Sequence, residues 1–150
     1  MDRVAVLIPL LVGSGAMAFT IVVHGAALAT NLGFVRHERT YGHAGVGFWN
    51  DLRIVSTAVM IALIAHLIEI GGWAVLLVLI GEFQEFGIAF YHSAVNYTSL
   101  GYGDIIMSPA WRMLGPFEAT NGLLMFGVST GMIFAVIQRL VETRFPDLRT

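Results

Sequence analysis

The sequence predicts an all-α membrane protein with three transmembrane helices and one short re-entrant helix. Of its 150 residues, 57% are hydrophobic and only 12% charged, against about a quarter charged in a water-soluble domain. Three apolar stretches reach the roughly 20 residues that a helix needs to cross a bilayer. Between the second and third lies an apolar segment too short to cross, followed by glycine-bearing backbone that cannot continue as helix.

Taken in order, residues 1–35 form an N-terminal transmembrane helix, its run from Val4 to Val35 free of formal charge. At ~1.5 Å per residue this run exceeds the ~30 Å hydrocarbon core, so the helix tilts or stops near Gly33. Arg3, the apolar residues after it and Ala16-Met17-Ala18 have the outline of a cleavable signal. The apolar run continues about 17 residues past Ala18, however, and Asp2 accompanies Arg3, so the segment is read as a retained span. Residues 36–53 are a polar loop in which His37 and His43 are solvated, with Phe48 and Trp49 as interfacial anchors at its end. A second span covers 54–81, interrupted only by His66 and Glu69. Glu82 and Glu85 follow, where carboxylates suit a helix N-terminus and also concentrate cations. The short re-entrant helix occupies 86–98, the irregular segment 98–104, the last span 116–140 and a polar tail 141–150.

Orientation follows from arginine, since the chain contains no lysine. Arg36, Arg39 and Arg53 lie in the loop after the first span, and Arg139, Arg144 and Arg149 follow the last. Only Arg3 and Arg112 fall on the opposite side. The positive-inside rule puts the loop and C-terminus in the cytoplasm and the N-terminus outside.

The irregular segment reads Thr98-Ser99-Leu100-Gly101-Tyr102-Gly103-Asp104. Gly101 and Gly103 admit the positive φ that most residues avoid, and irregular backbone survives at membrane depth only where protein buries it or it lines a watery passage. The segment resembles the selectivity-filter signature of potassium channels, T-V-G-Y-G-D, and the resemblance extends from Ile54 to about Leu140. It implies an outer helix over 54–81, a pore helix over 86–98, a filter over 98–104 and an inner helix over 116–140, the pore module 54–140 assembling as a homotetramer. It also implies that the backbone of Thr98, Ser99, Leu100, Gly101, Tyr102 and Gly103 binds potassium ions, with main-chain carbonyls replacing their water. Ser99 stands where that family usually has Thr, and Leu100 where it has Val or Ile, which loosens the inner and middle filter. Tyr91 and His92 align with the family's bracing tryptophans: Tyr91 is expected to reach Asp104, and His92 the Tyr102 hydroxyl of a neighbouring subunit. Val95 replaces a buried Glu of some members. Gly127 aligns with a gating-hinge glycine, and Ser129 or Thr130 would line the cavity below.

Intramembrane ionisable residues mark function by default. His66 and Glu69 share one helical face, and a hairpin would bring His24 to their depth. The plain reading is a polar clasp holding the extra helix to the pore module; the sharper ones are a proton sensor or a metal site, for which a fourth ligand is missing. The only metal expected is potassium at the filter, with no cofactor. No cysteine is present, which excludes thiolate chemistry and disulfides. A net charge of −2 without a basic face excludes nucleic acid. No G-x-G-x-x-G spacing follows a strand pattern, and no span repeats Arg as a voltage sensor does. The expected partners are further copies of the chain, membrane lipid and monovalent cations. The expected function is passive potassium conduction, not enzymatic. The alternatives are a non-selective cation channel, a membrane metal or haem protein using His24, His66 and Glu69, and a non-conducting accessory subunit.

Overall fold

The computed structural model describes the backbone of residues 2–145 and the side chains of residues 6–145. Four helices follow in order, α1 (Asp2–Thr40), α2 (Phe48–Leu79), α3 (Phe86–Tyr97) and α4 (Leu114–Arg144), and no strand occurs among the described residues. α1, α2 and α4 are each long and apolar enough to cross a membrane, whereas α3, at 12 residues, falls short of the roughly 20 required. The architecture is that of an all-α membrane protein.

Each long helix outruns its apolar stretch. α1 continues past Gly33 to Thr40, because neither Gly nor Pro intervenes again before Gly42 and a lone Gly only weakens a helix. α2 begins at Phe48, so Phe48, Trp49 and Arg53 are helical, and Trp49 remains 77% exposed. α3 ends at Tyr97 with Thr98 as its C-cap. α4 carries Pro116 in its first turn, where the missing N–H has no intrahelical partner to lose. Arg149 and the rest of residues 146–150 lie outside the described residues.

The chain divides into two compact units, Met1–Val23 with His66–Phe126, and His24–Ala65 with Gly127–Thr150. In the first, Trp73, Ala74 and Leu77 of α2 are fully buried and pack with Ala89 and Tyr97 of α3 and Leu114 and Met125 of α4. Ala16 and Met17 bring α1 against this core, and the Thr20 hydroxyl donates to Asn121 Oδ1 at 2.9 Å.

The second unit buries Ile54 against Ala44, Val136 and Leu140. Its polar end is more ordered than a solvated loop. The Glu38 carboxylate takes Arg53 at 2.6 Å and His43 at 3.1 Å, and the Gly45 N–H donates to Asp51 Oδ1 at 2.8 Å. His43 therefore pairs rather than standing free in water. Asn31 Nδ2 donates to the Ala58 carbonyl at 3.3 Å, joining α1 to α2. Elsewhere on the helices Leu11, Val22 and Leu79 are 72%, 71% and 78% exposed, as apolar side chains are when the surrounding solvent is lipid.

Candidate functional site

The segment after α3 turns its backbone donors toward that helix. The Ser99 N–H donates to Asn96 O at 2.8 Å, and those of Leu100 and Gly101 both donate to Val95 O, at 2.9 and 3.2 Å. A trans peptide sets each carbonyl opposite the N–H of the next residue. The carbonyls of Thr98, Ser99 and Leu100 consequently point away from α3. Within residues 98–104, φ is positive at Ser99 (60°), Gly101 (59°) and Gly103 (72°) and nowhere else. Alternation of hand keeps successive N–H groups on one side of the chain and successive carbonyls on the other. Among the described residues, no carbonyl from Ser99 to Gly103 accepts a backbone hydrogen bond.

Positive φ is open to Gly101 and Gly103 but uncommon for a residue with a Cβ. Ser99 adopts it against a penalty of about 1–2 kcal/mol, held there by its bond to Asn96. Nothing in the sequence marks Ser99 for that conformation, because the alternation belongs to the whole segment and not to one residue type.

Three side chains tie this segment and its exit to the rest of the unit. The Tyr91 hydroxyl donates to Asp104 Oδ2 at 2.8 Å; this bond holds the Asp104 carboxyl below its ordinary range and the Tyr91 hydroxyl above its own. Both ring nitrogens of His92 are engaged within the chain. Nδ1 lies 3.0 Å from Ile105 O, an acceptor only, so Nδ1 carries the proton; Nε2 accepts from Asn96 Nδ2 at 2.7 Å. That is the neutral tautomer, and burial lowers the pKa of the ring in keeping with it. Glu82 does not cap α3, whose N-cap is Glu85 without a side-chain cap bond. Its carboxylate instead accepts from the Ser108 N–H and, at 2.9 Å, from the Ser108 hydroxyl.

Behind α3 lies a buried polar knot. The Tyr97 hydroxyl donates to Glu69 Oε2 and lies 3.1 Å from His66 Nδ1, which is 3.4 Å from the same carboxylate. Phe126 of α4 covers both rings, 4.3 Å from His66 and 5.6 Å from Tyr97 between centroids. His66 and Glu69 thus fasten α2 to α3. Nε2 of His24 lies 3.1 Å from Ser129 Oγ, joining α1 to α4.

Tyr97, Gly122 and Glu118 escape the sequence reading. Tyr97 looks like the apolar end of a short helix, and only the fold reveals what its hydroxyl meets. Gly122 of α4 sits so close to Tyr97 that a Cβ would run into the Tyr97 carbonyl. Glu118, which from sequence bounds the last span, lies inside α4 and is fully buried, with the Ser93 hydroxyl of α3 beside its carboxyl. Gly127 sits in unbroken helix with open space around it, where α4 passes from one unit to the other. Ser129 is buried and Thr130 exposed.

Two apolar spans flanking a short helix and an outward-turned run of carbonyls, with a further span ahead of them, make this a pore-loop membrane protein. The family model described as an ion channel matches residues 53–139, more than half of the chain, and the chain belongs to this two-transmembrane pore-loop ion-channel family. The protein is a multi-pass membrane protein and a pore-forming ion channel. α1 lies outside the matched residues. Among curated proteins and solved structures, none matches the chain.

Proposed function

We propose that the protein is a potassium-selective channel built from four copies of the chain, with residues 98–103 as its filter. The observation that carries this reading is the run of Thr98, Ser99 and Leu100 carbonyls turned from α3, in a segment where no carbonyl from Ser99 to Gly103 accepts a backbone hydrogen bond among the described residues. An unmet carbonyl at membrane depth costs several kcal/mol. A cation shedding its water meets that need, and four chains around one axis close each level of carbonyls into a ring. The resemblance of Thr98–Asp104 to potassium-channel filters selects potassium among the monovalent cations. The C-terminal end of α3, negative by its dipole, faces this segment and favours a cation beside it.

On this reading residues 54–140 are the pore module, residues 1–35 an added span, 36–53 and 141–150 cytoplasmic, and the N-terminus outside, as the arginine distribution requires. Asp104, Tyr91 and His92 support the filter, and Gly127 is the gating hinge. His66 and Glu69 act as a structural brace through Tyr97, and His24 as a second one through Ser129. The ion is cargo, no resident cofactor takes part, and transport is passive, without a catalysed reaction. Ser99 and Leu100 set the alternative, a non-selective cation channel of the same architecture.

The test is reconstitution in planar bilayers with potassium on one side and sodium on the other. A selective filter drives the reversal potential strongly toward the potassium equilibrium value. A potential near zero with robust current establishes the non-selective alternative, and absence of current from assembled protein overturns both.

A further inference from the structure

We propose that a groove between α1 and α4 in the second unit binds one anionic phospholipid, whose phosphate is held by Arg36, Arg39 and Arg139. The groove encloses about 710 Å³, within the 300–1,000 Å³ typical of small-molecule sites. Its lining is amphipathic: three arginines and no acidic residue, with Val35, Met132 and Val136 among the apolar residues. All the lining residues belong to the same unit.

Each arginine alone has an ordinary explanation. Cations suit helix C-termini and anchor spans at the membrane surface. Those effects act on residues one at a time and ask for no common groove. Here three arginines from two helices line one space. Among the described residues, Arg36 and Arg39 have no ion pair, and Arg139 meets Glu142 only at 3.4 Å. Their mutual repulsion is relieved by an anion set among them, and guanidinium groups bind phosphate oxygens in pairs. The apolar lining argues for a phosphate that carries acyl chains over a free one. Basic pockets between transmembrane helices on the cytoplasmic side suit anionic headgroups, and the arginine distribution assigns this end of the protein to that side. Arg36 and Arg39 precede the family-matched residues 53–139 and Arg139 lies within them, so the groove exists only where the added helix meets the last helix of the pore module.

The test uses the full chain purified in neutral detergent, with bound lipid counted by native mass spectrometry and affinity read by titration. Phosphatidylglycerol should bind the groove and phosphatidylcholine should not. At about fivefold per arginine near an anionic surface, the double variant Arg36→Gln/Arg39→Gln should weaken phosphatidylglycerol by roughly twenty-fivefold. Arg112→Gln, outside the groove, should leave binding unchanged. Val35→Trp fills the apolar part without touching charge and should weaken the lipid as well, which separates occupancy of the groove from loose attraction to a basic surface. Helical content and oligomer size, read on each variant, distinguish lost binding from lost folding. Equal binding of the two lipids overturns the proposal, as does full retention by either groove variant. Displacement of the lipid by glycerol phosphate at matching concentration would show a simple anion site. A cross-link seating a second copy of the chain in the groove would give it a different occupant. None of these readings depends on ion selectivity, so failure here leaves the channel assignment standing, and failure of selectivity leaves the lipid site standing.

Discussion

Gly101 and Gly103 hold the conformations on which the carbonyl row depends, at φ 59° and 72°. An alanine at either position carries a penalty of about 1–2 kcal/mol for the left-handed backbone, repeated in every chain of an oligomer. Gly101→Ala should therefore abolish potassium current in reconstituted protein while circular dichroism shows unchanged helix; full current from the variant would show that the left-handed turn is dispensable. A second residue-scale effect belongs to His92. Burial favours its neutral form, so the native chain takes up this proton less readily than the unfolded one. The stability tied to the Asn96–His92–Ile105 relay is complete above the ordinary histidine pKa of about 6.5 and is lost as pH falls below it, through the lowered native value. Acidifying the compartment next to the segment exit from about pH 7.5 to 5.5 should thus reduce current, and His92→Gln should flatten that dependence. The Asp104 carboxyl is shifted down by Tyr91, so its contribution persists through this range and fails only below the ordinary carboxylate values. Current in Asp104→Asn should consequently keep the acid sensitivity that His92 confers.

Helices meet here through small residues and single polar pairs, as they do where no hydrophobic difference separates helix from solvent. Gly122 lets α4 touch the carbonyl of Tyr97, and Gly122→Ala should destabilise the protein by about 1–3 kcal/mol through overpacking, read as a lower melting temperature in detergent. Thr20 ties α1 to Asn121. Thr20→Val should lower stability by about 0.6 kcal/mol, the average for a hydrogen bond between membrane helices, and by no more than about 1.7 kcal/mol, while ion selectivity stays as it was. These contacts mark the limit of sequence reading. Three spans, a short helix and a glycine-bearing return were legible because hydropathy, length and glycine are local properties. Helix ends were less so, since polar residues such as Glu38 and Arg53 extend a helix once they pair with each other. Tyr97 and Glu118 were not legible, because a hydroxyl or carboxyl takes its meaning from a partner helix. His92 shows the same limit in reverse: the resemblance places it, but Asn96 and the Ile105 carbonyl beside it decide which nitrogen carries the proton.

At the scale of the molecule, one chain supplies one run of outward-turned carbonyls, and a ring needs several. Four chains are the proposed number, and light scattering of the detergent-purified protein should return the mass of a tetramer. The added helix α1 lies outside the matched family residues, and the arginine groove opens between it and α4. The central claim is that main-chain oxygens of Ser99, Leu100, Gly101 and Tyr102 take the place of water around a passing ion. The most direct measurement is anomalous diffraction from crystals grown with thallium, a heavy mimic of potassium. The account predicts a column of anomalous peaks on a fourfold axis, each ringed by those oxygens. Peaks elsewhere, or an axis toward which those oxygens do not turn, would contradict it.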